Sequence, residues 1–504
     1  MLYGSLLGSR QRFLRIAASV SAFLLVLFLF TAYELPPAHN PQALPPADTD
    51  YRSQVQVGDE HPLTDEKLYP AGENTPEIAF DLPPEYTQVK EPLPFCADRF
   101  GTAYLKNLRD SATEYCSAES PSGLTCFHSQ TATNRVDSFC LARGALFIQN
   151  EKAFSLGCEL QDVSGVPRYH QFSKYWYETG PGIVLEQAVR LNEDISSITV
   201  PGPTPNYTLL IKREGAYNVW HSLMEIFSMT LTLDVLRMAR HPNQSFPLFT
   251  SEDIQNTRVL LLDDIEEGPY FDLWHIFAAK PVLRLSDTSL PQLNASLENL
   301  IVPLSGGSNP LWQGDWEIHT CDDSPLLRTF SHRVLNHFEI GPVSPRDQLP
   351  EIIVTFINRT STRRLIDGEA YFDHLQSELP HVKIQSIDFA TISFAEQLAI
   401  AQQTDVLVGV HGAGLTHGIF LPPRSAIVEI LPPGLNHKGF RNVAGLLDHS
   451  YFSVHASESR PQNKAVKSEW QNDDVFIEQD KFIRALIVAI KSMYNRGSRN
   501  YDLE

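Results

Sequence analysis

The sequence predicts an α/β protein built on a parallel, doubly wound sheet, and three observations point there. Between Glu351 and Tyr494, apolar runs of strand length alternate with segments of helical spacing, the pattern that strand–helix–strand units produce. Within this region Val406-Leu-Val-Gly-Val-His411-Gly-Ala-Gly-Leu-Thr416-His417 passes from an apolar run through a His-Gly-Ala-Gly turn into a second apolar segment. That reads as a buried parallel strand feeding a helix N-terminus. The globular part starts near Phe95 and holds roughly 400 residues, too many for one ordinary core, so two domains are expected.

The chain opens with a short tail, residues 1–15, that carries Arg10, Arg12 and Arg15. Residues 16–33, from Ile16 to Tyr33, are almost wholly apolar, and no Lys or Arg follows until Arg52. This asymmetry predicts a transmembrane signal anchor with a cytosolic tail and the remainder across the membrane. A cleaved signal peptide is the rival reading, but Phe30-Thr31-Ala32 is a poor cleavage site. Residues 34–94 carry Pro-Pro pairs at Pro36, Pro45 and Pro83 with little periodic hydrophobicity, the composition of a disordered stem.

The first globular domain is expected over 95–345. It mixes a strand from Asn206 to Lys212, a helix from Tyr217 to Arg240, a short strand at Arg258–Leu262 and a helix from Pro325 to Phe338. The second, 346–504, is more regular. It reads as a strand at Glu351–Ile357, a helix at Glu369–Leu379, a strand at Val382–Ile387 and a helix that Ser393 and Glu396 open with a capping box. The Val406 strand, the His411 turn, the Ala426–Ile430 strand and a closing helix at Phe476–Tyr494 complete it.

A formal net charge of -20 argues against nucleic acid as a partner. The six cysteines, Cys96, Cys116, Cys126, Cys140, Cys158 and Cys321, show no CxxC spacing. Disulfides in an oxidising compartment are therefore expected, with the pairing left open. Sequons at Asn206, Asn243, Asn294 and Asn358 agree with a luminal setting.

Ligands of a doubly wound sheet sit outside the carboxyl ends of its strands. In the turn Gly412, Ala413 and Gly414 let backbone approach an anion, while His411, Thr416 and His417 add side-chain donors. Beyond the Glu351 strand come Arg359, Arg363 and Arg364, whose planar forks suit a diphosphate. Glu429, at the end of the following strand, is a candidate for the ribose hydroxyls. In the first domain His221 and Glu225 are four apart and share a helix face, as a general base and an orienting partner would. The acidic run Asp263–Glu267 is the only candidate for a divalent cation, and a solvated loop is its plainer reading. Asp48-Thr49-Asp50 falls in the stem, and no metal or other cofactor is called for.

These segments resemble glycosyltransferase family 61. The resemblance is carried by Asn218-Val-Trp-His221, Asp263-Asp264 to Trp274, Cys321 to Leu335, Thr355-Phe-Ile-Asn-Arg359 with Arg363-Arg364, and Val408-Gly-Val-His-Gly-Ala-Gly-Leu-Thr-His417. It implies a GT-B fold, two Rossmann-like domains facing across a cleft, with the nucleotide sugar on the second. It also implies inverting transfer from a UDP-sugar, foremost UDP-GlcNAc, to a Ser or Thr hydroxyl of a glycoprotein acceptor. A single-pass type II protein of the Golgi or endoplasmic reticulum would result. The alternatives are a xylosyltransferase that elongates a glycan and a catalytically silent, lectin-like membrane protein of the same fold.

Overall fold

A computed structural model describes residues 82–86, 92–132, 135–192, 206–240, 246–293, 297–341, 351–457 and 470–494. The expected tail and anchor, and most of the stem, lie outside them. Among the described residues no helix is long and apolar enough to cross a membrane.

The helices are α1 (Pro94–Phe100), α2 (Thr102–Asp110), α3 (Pro181–Ala188), α4 (Val219–Met238), α5 (Pro325–His337), α6 (Gly368–Glu378), α7 (Phe394–Gln403), α8 (Gly439–Leu446) and α9 (Gln479–Tyr494). Local chemistry sets their starts. Asn218 accepts the backbone N–H groups of Trp220 and His221 at the head of α4. Ser324 caps α5 ahead of Pro325, where a proline costs no hydrogen bond. Ser393 and Glu396 form the expected capping box on α7.

The first sheet has nine strands: β1 (Thr113–Glu114), β2 (Gly123–Ala132), β3 (Arg135–Ile148), β4 (Ala153–Gly157), β5 (Val189–Asn192), β6 (Tyr207–Ile211), β7 (Thr257–Leu261), β8 (Leu283–Arg284) and β9 (Glu298–Val302). Parallel pairing joins β9, β6, β7 and β8, but β2 and β3 form an antiparallel hairpin that β9 extends. This half is therefore a mixed sheet and not the plain doubly wound one the sequence suggested. The hairpin was missed because its strands, with His128, Ser129, Asp137 and Ser138 among the apolar residues, show no clean alternation.

The second sheet is wholly parallel: β10 (Ile352–Ile357), β11 (Val382–Ile387), β12 (Val406–Val410), β13 (Ala426–Leu431) and β14 (Ser450–His455), in the order β11-β10-β12-β13-β14. Side chains alternate along β12, because successive residues of a strand point to opposite faces. Val406, Val408 and Val410 pack with α6 and α9 through Phe372, Leu375, Phe482 and Leu486. Leu407 faces the other way, toward Phe394 and Leu398 of α7 and Phe440 of α8. Both faces are covered, as expected for this half. The boundary placed at 345 falls within 342–350, outside the described residues. The Leu407 face joins α4 and α5 in one buried cluster, so the two halves share a core.

The six cysteines form three disulfides, Cys96–Cys321, Cys116–Cys158 and Cys126–Cys140. Cys126 and Cys140 are direct cross-strand partners in the β2–β3 hairpin. Cys96–Cys321 ties α1 to the segment that enters α5.

Candidate active site

In the second sheet the first and third strands in chain order, β10 and β12, lie side by side. The strand order reverses there, opening a crevice at their carboxyl ends. Arg359 and Arg363 follow β10, and His411 follows β12. Arg363 Nη1 donates to the His411 carbonyl oxygen at 2.8 Å, and Arg359 Nε donates to the Thr362 carbonyl oxygen at 2.9 Å. Burial, then the neighbouring Arg359 charge, pulls the pKa of Arg363 down to about 10, and burial lowers that of Arg359 too. Both remain cations at neutral pH. Among the described residues neither forms an ion pair with a carboxylate. Two half-buried cations outside any salt bridge, with Asp388 offsetting only part of the burial cost at Arg359, make a site that favours an anion.

Gly412 has φ 151°, and a Cβ there would lie 2.7 Å from Arg363 Nη1 and 3.1 Å from Arg359 Nη1. Its lack of a side chain is what admits both guanidiniums. Ala413 begins the short 3-10 helix Ala413–Phe420.

Four expected site residues, Arg364, Gly414, His417 and Glu429, are engaged elsewhere, and a fifth, Thr416, lies buried. Arg364 donates to Asp474 at 3.0 Å from Nε, in an exposed ion pair away from the other two arginines. A Cβ on Gly414 would meet Ile357 Cγ2 at 3.1 Å, so this glycine serves packing. Thr416 is fully buried, and its hydroxyl has no hydrogen-bond partner. His417 is buried with its ring nitrogens 2.8 Å from the Gly414 carbonyl oxygen and from Gln397 Oε1, and burial lowers its pKa to about 4. Glu429 is fully buried, with one oxygen 2.5 Å from His411 Nδ1 and the other accepting from Tyr451 at 2.5 Å. It holds the histidine and is not open to a ribose.

The first sheet reverses its order between β6 and β9, and the second cluster sits at that switch. His221 Nδ1 lies 2.6 Å from Glu214 Oε2. Glu225, expected as the partner of His221, instead accepts the Glu214 backbone N–H at 2.7 Å. Burial, partly offset by that N–H, raises the Glu225 pKa well above the usual carboxylate value. A cavity of about 20 Å³ beside it is lined by Lys212, Ser305 and Gly306, room for roughly one water. Glu214 escaped sequence reading because it lies in the loop after β6, outside any helical spacing.

Ring contacts connect the clusters. Trp312 lies 4.7 Å from His221 and 6.1 Å from Trp220. Trp220 lies 5.8 Å from Phe440, which is 5.6 Å from His411. Trp470 closes over Arg363 at 5.9 Å and His411 at 5.5 Å. Each end thus presents a histidine bound through Nδ1 to a buried carboxylate. Such pairing orients the imidazole and leaves Nε2 for chemistry.

One residue of the acidic run, Asp263, has a structural role. Asp263 forms an ion pair with Arg213 at 2.8 Å, with both side chains nearly buried, and accepts the Arg213 N–H at 2.9 Å. The other acidic residues of the run, Asp264, Glu266 and Glu267, are exposed, as in a solvated loop.

Residues 219–428 match the family model described as Glycosyltransferase 61. The chain carries a glycosyltransferase family 61 domain. Its match spans His221, Arg359, Arg363 and the His411 turn and stops one residue before Glu429. Similar proteins include EGF domain-specific O-linked N-acetylglucosamine transferases. The one from Drosophila melanogaster is 29% identical over 232 residues, 44% of this chain and 40% of the relative. That of Bos taurus is 26% identical over 297 residues, 57% of this chain and 51% of the relative. That of Mus musculus is 26% identical over 230 residues, 44% of this chain and 40% of the relative. The chain thus spans about half or less of the length of these relatives.

Proposed function

We propose that this protein transfers a sugar from a nucleotide diphosphate donor to a protein hydroxyl by a single, inverting displacement. The observation that carries the reading is the pair Arg359 and Arg363, two cations in no salt bridge among the described residues, converging on Gly412 at a sheet switch point. A diphosphate is the ligand such forks fit bidentately. As the acceptor oxygen bonds to the anomeric carbon, the carbon–oxygen bond to the diphosphate breaks and its electron pair leaves with the phosphate. Arg359, Arg363 and the His411 turn stabilise that growing charge with donors already in place. His221 Nε2 takes the proton of the acceptor hydroxyl, and Glu214 stabilises the imidazolium that results. Glu225 acts through Glu214 as a positioning residue, which replaces the catalytic role expected from sequence.

The names of the relatives favour N-acetylglucosamine as the sugar and a protein as the acceptor. The two-sheet architecture, with a cluster at each switch point, is compatible with a GT-B cleft. Three disulfides support a luminal home, and the apolar stretch from Ile16 to Tyr33 supports a membrane anchor in the Golgi or endoplasmic reticulum. The decisive experiment incubates the purified protein with the common UDP-sugars and a folded EGF domain, following UDP release and the mass of the acceptor. UDP-GlcNAc is expected to give both signals. No UDP release from any donor, by a folded protein, would overturn the reading.

A further inference from the structure

We propose that Tyr451 is a positioning residue for His411, acting through Glu429 to fix the imidazole with Nδ1 protonated and Nε2 as its only nitrogen able to meet a ligand. The proposal deepens the donor-site reading above and rests on it. It begins with strand register. Glu429 on β13 stands opposite Gly409 on β12 and Ser453 on β14. His411 lies two residues beyond Gly409, and Tyr451 two residues before Ser453. A two-residue step keeps a side chain on the same face of a strand, so three adjacent strands deliver a diagonal Tyr–Glu–His row.

The contacts then leave one protonation pattern. Tyr451 donates to Glu429 Oε2 at 2.5 Å, and His411 Nδ1 lies 2.5 Å from Oε1. Burial and the Glu429 charge both hold Tyr451 in its protonated form, so it is a donor. A fully buried carboxylate flanked by a phenol and an imidazole accepts from both, which places the imidazole proton on Nδ1. Nε2 has no hydrogen-bond partner among the described residues. His437, whose ring lies 4.9 Å from that of His411, cannot take over. Its Nδ1 accepts from the Gly439 N–H at 3.1 Å, and its Nε2 donates to Asp315 at 3.1 Å.

Phenol removal by Tyr451→Phe keeps the ring and withdraws one of the two donors that lock the carboxylate. The test uses the full chain labelled with nitrogen-15 histidine, the His411 signals being assigned by their loss in His411→Gln. In the wild type, His411 should show a protonated Nδ1 with a strongly deshielded proton and an unprotonated Nε2. In Tyr451→Phe that proton should shift or broaden and the two nitrogens should move toward a tautomer average. The kcat of UDP-sugar hydrolysis or transfer should fall about tenfold, with the donor KM changed less than twofold. A nitrogen pattern identical in both proteins, or a loss confined to KM, would overturn the proposal. Should Tyr451→Phe not fold, Glu429→Gln reads the same relay by the same spectrum. A wild-type chain that turns over no UDP-sugar defeats the donor-site reading, while the spectra still decide the relay.

Discussion

Gly412 lies directly beneath Arg363, so close that a single added carbon would fall 2.7 Å from the guanidinium Nη1. Gly412→Ala should therefore displace the arginine and weaken UDP binding tenfold or more, about 1.4 kcal/mol. A side chain at this positive φ, in a backbone region that essentially only glycine adopts, adds roughly 1–3 kcal/mol of destabilisation. Calorimetric titration with UDP checks the first effect and thermal melting the second. Unaltered UDP affinity in a folded variant would remove Gly412 from the site.

Gly414 should behave differently although it is only two residues away. Gly414→Val drives a branched side chain into Ile357, already 3.1 Å from the position of a Cβ. Overpacking of this kind costs about 1–3 kcal/mol. The variant should melt early and still gain stability from saturating UDP, because binding the folded state stabilises it by mass action.

The three arginines should separate in the same titration. Arg359→Ala and Arg363→Ala should each lose about 1.5–3 kcal/mol of UDP binding, the range for a charge-assisted hydrogen bond. Arg364→Ala should leave binding unchanged, since its ion pair with Asp474 is exposed. Surface pairs of that kind contribute about 0–1 kcal/mol to stability. Equal losses in all three variants would contradict the reassignment of Arg364.

On the acceptor side, His221→Ala should lower kcat by about 10²–10⁴ while leaving UDP affinity intact, as loss of a general base does. Glu214→Gln, which keeps the shape and removes the carboxylate charge facing His221 Nδ1, should lower kcat in the same direction. Weaker UDP binding in either variant would place His221 at the donor.

The buried His417 sets an acid limit on stability. Its folded pKa, about 4, lies below the value near 6.5 of an unfolded histidine. A neutral buried imidazole therefore gives its full stability above pH 6.5, loses it progressively as pH falls toward 4, and changes no further below that. The loss is roughly 3 kcal/mol across this window. His417→Gln, melted at pH 7 and pH 5 beside the wild type, should show a smaller drop between the two. An equal drop would mean that His417 is already protonated in the fold.

Much of the second half was legible in the chain. The Val406 strand, the capping box at Ser393 and Glu396, and the strands beginning near Glu351 and Ala426 all fall where periodicity placed them, because burial on both sides of a parallel sheet demands unbroken apolar runs. Strand β14 was not legible. Its residues, Ser450 to His455, include only one buried side chain, Val454, so no apolar pattern announces it. Without that strand Tyr451 has no address, and Glu429 looks like a free carboxylate.

The sequence by itself determined most of the strands and helices of the parallel half, β14 and α8 excepted, and that His411, Gly412, Arg359 and Arg363 stand at carboxyl strand ends. These are local consequences of apolar spacing, capping and turn chemistry. Only the tertiary structure decided which groups serve as partners. Glu214 and not Glu225 reaches His221, Arg364 turns to Asp474, Asp263 holds Arg213, and Glu429 lies between His411 and Tyr451. Partners of that kind come from strand order, register and burial, which join residues far apart in the chain, and no spacing along the chain encodes them.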